Sequence, residues 1–313
     1  PLRLVGSEMC IRDRYHAVRA IGRFVCLFSY DTIVKWGRKL GPVAGRLLKK
    51  QRNRGIFHVM RGLKCDEAEA VAVIDGVFAN LGQSLMEILY TPRLNKDCIS
   101  RYVTLDQPDI LERALEENKG VIALTGHLGN WEWMGASLAL YGYPATTIVK
   151  NQPNDSVTRF LNENRERMGL EVFARGGNEM IIAARALKKK KILGFLADQD
   201  GGFDGVPQEF LGQLASTPRG IALFARQFRS PIVPIFPYHD ENHRNRVYIG
   251  EPIYFEDTGD KERDIAELTK QTAIITEKFI REHPTEWLWF QHRWSTKPEE
   301  MTALQTEGGQ EGI

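Results

Sequence analysis

The chain has 313 residues, of which 42% are hydrophobic, 26% charged and 10% aromatic. This is the composition of a folded globular protein, and it excludes low-complexity and intrinsically disordered chains. The formal net charge of +2 hides an uneven distribution, because 12 Lys and Arg residues but one acidic residue, Asp31, fall between Tyr15 and Lys64. Residues 65–313 are therefore net acidic, and the sequence divides into a basic N-terminal segment and an acidic body.

The cysteine count and the hydropathy restrict the class of protein further. The four cysteines form no C-x-x-C pair and no zinc-type spacing, so we expect reduced thiols in a cytoplasmic environment. No stretch reaches the roughly 18 uncharged apolar residues of an ordinary transmembrane helix, and no cleavable signal peptide is evident. We expect residues 1–14 to lie outside the folded protein and residues 301–313 to form a disordered tail.

Residues 15–100 are predicted to be helical, with Gly41-Pro42 breaking the segment. Aromatic and leucine residues alternate there with Lys and Arg, a pattern typical of helices that lie on an anionic bilayer. The alternative is a set of amphipathic helices packed on the rest of the protein with a solvated basic face. No nucleic-acid-binding motif accompanies the charge, so we expect no nucleic acid partner.

Residues 101–300 alternate between short apolar runs and helical patterns. The runs 119–126, 145–150, 192–198 and 231–238 read as buried strands, and amphipathic helices separate them, including one with Pro218 in its first turn. Strands that alternate with helices predict an α/β domain with a mostly parallel central sheet flanked by helices.

The most informative stretch runs from Val121 to Gly135. His127 follows a predicted buried strand directly, where α/β folds place reactive groups. Glu132 comes five residues later, and Leu128-Gly129 lets the chain turn, with Asn130 predicted as the N-cap of the next helix. In that geometry the carboxylate can accept from one imidazole nitrogen while the other takes a proton from a hydroxyl. The chain has no G-x-S-x-G motif, which disfavours an acyl-enzyme hydrolase.

This stretch, GHLGNWE, resembles the H-x-x-x-x-D/E signature of the glycerolipid acyltransferase superfamily. Its context is similar to the lipid A biosynthesis acyltransferase branch, which includes lauroyl and myristoyl transferases and the related phosphatidylinositol mannoside acyltransferases. Four further blocks agree in order: ARGGNEM (174–180), FLADQDGG (195–202), FLGQLASTPRGIALFAR (210–226) and HPTEWLWFQHRW (283–294). The resemblance covers residues 15–298.

The resemblance implies an enzyme at the cytoplasmic face of the bacterial inner membrane, held peripherally or by an anchor that precedes this sequence. It would move a fatty acyl chain from acyl carrier protein or acyl-CoA to a hydroxyl of a lipid A precursor, with His127 as general base, Glu132 as its partner, and no cofactor or metal. A lysophospholipid or phosphatidylinositol mannoside acceptor is the alternative. Basic residues that could meet an acidic carrier protein are the N-terminal segment, Lys188–Lys191, or Arg244 with Arg246.

Besides Asn130, which we also expect to contact substrate, five more residues are candidate substrate contacts. Arg175 and Asn178 stand at a predicted helix start, where a guanidinium and backbone N–H groups can hold phosphate. Arg219 is predicted either to contact phosphate or to form a surface ion pair. Asp198 and Asp200 stand at the end of a predicted strand, where they could orient the acceptor, support the base or cap a loop; a metal-dependent phosphoesterase built on them is a remote alternative.

Overall fold

The structure is a computed structural model and describes residues 15–150, 156–175 and 179–297. Its helices are α1 (15–25), α2 (Tyr30–Leu47), α3 (Lys49–Leu63), α4 (Glu67–Tyr90), α5 (Pro108–Glu116), α6 (Trp131–Leu140), α7 (Ser156–Arg167), α8 (Glu179–Lys188), α9 (Gly220–Phe228) and α10 (Lys261–Glu282). Its strands are β1 (Val103–Leu105), β2 (Val121–Thr125), β3 (Ala145–Lys150), β4 (Glu171–Arg175), β5 (Ile192–Leu196), β6 (Val206–Phe210), β7 (Gln213–Thr217), β8 (Ile232–His239) and β9 (Asn245–Ile249). The expected tail and residues 1–14 lie outside the described residues.

Seven of these strands form one sheet in the order β1-β9-β8-β2-β5-β3-β4. The five strands from β8 to β4 in this order are mutually parallel. Strand β9 is antiparallel to β8, and β1 is parallel to β9. The predicted α/β fold with a mostly parallel sheet is confirmed. The hairpin of β6 and β7 was not predicted, and it takes up the residues before α9. Pro218 therefore precedes α9 instead of lying in its first turn, because α9 begins at Gly220.

The sheet separates two apolar cores, since alternate residues of a strand point to opposite faces. Val121 and Ala123 of β2 pack with α5 and α6, whereas Ile122 and Leu124 pack with α8, α9 and α10. Both faces of the central strands are covered by helices, which explains why these strands are almost continuously apolar.

The N-terminal helices pack on each other through glycines. Gly37, Gly41 and Gly45 of α2 are buried against α4, and a Cβ atom at Gly41 would overlap the carbonyl group of Phe78. The prediction that Gly41-Pro42 breaks the helix is wrong, because α2 continues through Pro42 to Leu47. A proline removes one backbone donor from a helix, and here the close contact with α4 holds the helix together across that position.

Among the described residues, one helical segment, Glu67–Arg93, is long and apolar enough to cross a membrane by length and composition alone. Core helices pass the same test. Its main part, α4, packs on α2 and α3 and carries the fully buried carboxylate of Glu87, which is typical of a core helix.

Candidate active site

The loop from Gly126 to Asn130 joins the carboxyl end of β2 to α6 and carries His127. The C-terminal segment holds it, because Gly129 N–H donates to the Glu286 carbonyl oxygen (2.9 Å) and Leu288 N–H donates to the His127 carbonyl oxygen (3.3 Å). Gly129 has φ +43°, and a Cβ atom there would lie 2.7 Å from the Pro237 oxygen, so glycine is needed for both reasons. The loop is thus fixed between β8 and the C-terminal segment.

The partner of His127 is Asp198, which follows β5. Nδ1 of the imidazole lies 2.9 Å from Asp198 Oδ1, and the main-chain N–H of His127 donates to Asp198 Oδ2 at 2.9 Å. The strands β2 and β5 are adjacent and parallel, so their carboxyl ends bring the two residues together. Gly126 permits this approach, because a Cβ atom there would lie 3.0 Å from Asp198 Cγ.

Asp198 is itself immobilised by the C-terminal segment. Its Oδ2 also accepts hydrogen bonds from Trp287 Nε1 (2.8 Å) and Gln291 Nε2 (2.7 Å). Burial opposes ionisation of this carboxyl group, but the imidazole and the donors outweigh it and lower its pKa to about 2. Asp198 is therefore an ionised carboxylate that orients His127, which is the supporting role considered in the sequence analysis.

This arrangement differs from the predicted His127–Glu132 contact, since the hydrogen bond assigned to Glu132 is made by Asp198. Glu132 is turned towards Arg165, whose Nε and Nη2 donate to its two carboxylate oxygens at 2.8 and 2.5 Å. The regular helix explains this, because Glu132 lies in the first turn of α6 and faces α7. Burial alone would lower the pKa of His127, but the charges of Asp198 and, to a smaller extent, Glu132 raise it above its ordinary value.

Asn130 caps α6 as predicted, with its Oδ1 accepting from Trp133 N–H at 3.0 Å. Its Nδ2 donates to Glu87 at 2.7 Å, and the residue is buried. Both polar groups of the side chain are thus used inside the protein, so nothing in this geometry supports the prediction that Asn130 contacts substrate.

Beneath this loop lies a buried ionic cluster, which we define as Glu87, His239 and Glu286. His239 Nδ1 lies 2.9 Å from Glu286, and its Nε2 lies 3.8 Å from Glu87. Burial disfavours the imidazolium, but the two carboxylates outweigh it and raise the pKa of His239. The same cation helps to lower the pKa of Glu87 despite complete burial. The cluster supports the loop through the Glu87–Asn130 hydrogen bond and the Glu286 carbonyl oxygen.

The structure places the remaining candidates as follows. Asp200 accepts from the N–H groups of Gly202, Ser295 and Thr296, which is the loop-capping alternative. Arg219 forms an exposed ion pair with Glu262 (2.8 Å), the surface alternative. Arg175 ends β4, but its side chain, like Asn178, lies outside the described residues. No group of three or more His, Cys, Asp or Glu side chains in the described part of the chain is placed to hold a metal ion.

The basic groups considered for carrier-protein docking are placed as follows. Lys188–Lys191 precede β5 and therefore lie at the edge of the sheet opposite His127. Arg244 is paired with Asp31 at 2.9 Å, and Arg246 is paired with Asp106.

A cavity of about 770 Å³ opens beside His127. Its charged and amide-bearing lining residues, at the mouth near the carboxyl ends of the strands, are His127, Glu132, Arg165, Gln199 and Asp200. The rest of the lining is mainly apolar and includes Met134, Leu138, Leu170, Ile192 and Phe224. It extends from the carboxyl ends of the strands to Ala145 and Ile192 at the starts of β3 and β5. At about 3.3 Å per strand residue the cavity is roughly 15 Å deep.

Three residues of this site were not predicted from the sequence. Arg165 lies on α7, 33 residues after Glu132, and nothing in its local pattern distinguishes it from a solvated helix residue. Trp287 and Gln291 lie in the HPTEWLWFQHRW block, whose aromatic residues predict apolar packing. The presence of hydrogen-bond donors such as Trp287 and Gln291 in that apolar segment could have indicated a polar role.

Comparisons with known proteins place this chain in a family. The chain is 24% identical over 229 residues to a phosphatidylinositol mannoside acyltransferase of Mycolicibacterium smegmatis, covering 71% of this chain and 72% of that protein. A Mycobacterium tuberculosis protein of the same name is 23% identical over 289 residues (89% and 85%). A lipid A biosynthesis acyltransferase of Haemophilus influenzae is 24% identical over 257 residues (80% and 78%). The sequence model described as bacterial lipid A biosynthesis acyltransferase matches residues 9–296, and the chain therefore belongs to this family of acyltransferases.

Proposed function

We propose that the enzyme transfers a fatty acyl chain from the thioester of acyl carrier protein or coenzyme A to a hydroxyl group of a lipid A precursor. The observation that carries this proposal is the oriented imidazole of His127 at the mouth of a deep apolar cavity. An apolar cavity shields the hydrocarbon chain from water, and the thioester carbon is left near the base.

The mechanism follows from the orientation of the imidazole. With Nδ1–H donated to Asp198, Nε2 of His127 is the acceptor and takes the proton of the attacking hydroxyl. The hydroxyl oxygen forms a bond to the thioester carbon, the tetrahedral intermediate collapses with cleavage of the C–S bond, and the leaving thiolate receives the proton from the imidazolium. Asp198 stabilises the imidazolium directly, and the charge of Glu132 adds to that effect.

The test is transfer of a labelled acyl chain by the purified protein. Acyl carrier protein and coenzyme A thioesters are each offered with a lipid A precursor, a phosphatidylinositol mannoside and a lysophospholipid. We expect transfer to the lipid A precursor and its loss in His127→Ala. A folded His127→Ala protein with wild-type activity would refute the role of the base.

A second candidate acceptor is phosphatidylinositol mannoside. It is favoured by the two mycobacterial relatives, whose names state that acceptor and one of which aligns over 89% of this chain. Exclusive transfer to this lipid in the same assay would replace the lipid A assignment while leaving the chemistry unchanged.

We also propose that α2 rests on the cytoplasmic face of the inner membrane. Trp36, Leu40, Val43 and Leu47 are exposed on one face of this helix, and Leu47 is 80% exposed. The exposed cations Lys35, Lys39 and Arg46 flank that stripe, and no ion pair engages them within the described residues. An apolar stripe bordered by cations suits an anionic bilayer, where each cation contributes about 1 kcal/mol.

Vesicle sedimentation tests this placement. Wild-type protein is expected to bind anionic vesicles more strongly than zwitterionic ones, with binding weakened by salt. Replacing Lys35, Lys39 and Arg46 with Gln should remove the preference. The matched change of three other exposed cations, Lys188, Lys189 and Lys190, to Gln should not. Equal loss in both variants would contradict the assignment of α2.

A further inference from the structure

The cavity reaches both faces of the central sheet because β3 and β5 separate. The two strands pair only at Ala145–Thr147 with Ile192–Gly194. Beyond that point β3 continues along β4 to Lys150, and β5 continues along β2 to Leu196. The ladder between them therefore ends midway, and the upper half of the sheet is open at this position.

The residues that line the cavity divide according to the face of the sheet. One set, the α6-side arm, includes Ala123, Met134, Leu138, Ala145 and Ile192, all of which belong to the core beside α6. The other set, the α9-side arm, includes Ile148, Phe195, Ile221 and Phe224, all of which belong to or pack on the opposite core. One continuous cavity thus has an apolar arm on each face of the sheet.

We propose that the two arms hold two different hydrocarbon chains at once: the donor acyl chain in the α6-side arm and an acyl chain of the lipid acceptor in the α9-side arm. This inference rests on the proposed transfer from a thioester to a lipid hydroxyl. A single straight chain could use only one arm, since the sheet lies between them below Gly194 and Thr147.

The depth of each arm decides which chain it takes. The α6-side arm extends down to Ala145 and Ile192 at the starts of their strands, so it can remove a whole chain from water. A donor acyl chain that is delivered from the aqueous phase needs a pocket of this depth, because each methylene left exposed to water costs free energy. The α9-side arm lies nearer the carboxyl edge, between Phe195 and the first turns of α9. A lipid acceptor that stays partly in the bilayer needs only part of its chain covered.

Two glycines allow each arm to be filled separately. A Cβ atom at Gly194, on the floor of the α6-side arm, would have Thr146 O as its nearest neighbour at 3.7 Å. A Cβ atom at Gly220, in the α9-side arm, would have Phe195 Cε1 nearest at 3.9 Å. Both are ordinary van der Waals distances, and neither glycine has a positive φ. A larger side chain at either position therefore extends into one arm without backbone strain.

The experiment compares Gly194→Leu and Gly220→Leu in the acyl-transfer assay, with donors of increasing chain length and with acceptor concentration varied. Gly194→Leu should lower kcat/KM for long donors relative to short ones by about 10–200-fold, the effect of a displaced methylene in an apolar pocket, with the acceptor KM unchanged. Gly220→Leu should raise the acceptor KM and leave the donor-length profile unchanged. The Ala variants should move the same parameters by less, and they carry the test if a Leu variant does not fold.

The outcomes separate this inference from the proposed function. If the wild-type protein transfers no acyl chain from either donor, the proposed function fails and this inference fails with it. If the wild type is active but both variants change the donor-length profile, or neither changes any parameter, the enzyme stands and the two-chain assignment is overturned.

Discussion

Asp198 offers a sharp test of the active site because its two oxygens have different partners. Oδ1 faces Nδ1 of His127, whereas Oδ2 accepts from His127 N–H, Trp287 Nε1 and Gln291 Nε2. In Asp198→Asn the carbonyl oxygen should remain with these three donors, because an amide group there would face other N–H groups. The new amide would then donate to Nδ1, and the imidazole proton would move to Nε2, the atom that has to accept the hydroxyl proton.

The size of the effect follows from the three hydrogen bonds. Reversing the amide would forfeit about 1 kcal/mol for each of them, or about 3 kcal/mol in total. At 1.36 kcal/mol per factor of ten, less than about 1% of the protein would hold the productive tautomer. We therefore expect kcat to fall by roughly 10²–10⁴, the upper value being that of the corresponding change in a Ser-His-Asp triad.

The measurement is steady-state acyl transfer at saturating donor and acceptor, with circular dichroism to verify the fold. Asp204→Asn is a matched control, because Asp204 is an exposed carboxylate six residues along the same segment. A folded Asp198→Asn enzyme within threefold of the wild-type kcat would refute the tautomer argument.

Three more predictions concern the surroundings of the base. The wild-type rate should fall as the pH drops through a His127 pKa that lies above its ordinary value of about 6.5, since only the neutral imidazole accepts a proton. Glu132→Gln should move this acidic limb of the pH–rate profile to lower pH. An unmoved limb would show that the charge of Glu132 does not affect the pKa of His127. Gly126→Ala should lower kcat by at least about tenfold with little change in thermal stability, because its Cβ atom would lie 3.0 Å from Asp198 Cγ; unchanged kcat would mean that the carboxylate can shift without loss. His239→Gln should lower the free energy of unfolding in urea by about 3–5 kcal/mol at pH 7, since it leaves two buried carboxylates without their cation. Because the pKa of His239 is raised by folding, its contribution is fully present below about 6.5 and is lost as pH rises through the raised pKa; a difference from wild type that grew towards alkaline pH would contradict this.

Local pattern was sufficient for the parts of this protein in which one segment decides its own structure. The apolar run 119–126, which ends in glycine, predicts the strand that the structure has as β2, and Asn130 before an apolar helix predicts the cap of α6; both elements are confirmed. The ordered blocks indicated the family, and the match over residues 9–296 confirms it. The prediction of a helix break at Gly41-Pro42 was wrong because residue propensity does not include the contact with α4 that keeps α2 continuous.

The tertiary structure alone decided which residues share the candidate active site. Glu132 is five residues from His127 and Asp198 is 71 residues away, yet Asp198 holds the imidazole, because adjacent parallel strands bring their carboxyl ends together while the first turn of α6 directs Glu132 to Arg165. The division of the cavity between two faces of the sheet was equally hidden, because it depends on where the ladder between β3 and β5 ends. The charges alone showed a basic N-terminal segment and an acidic body. Packing of α2 against α4 decides which side chains of that segment remain exposed beside the apolar stripe.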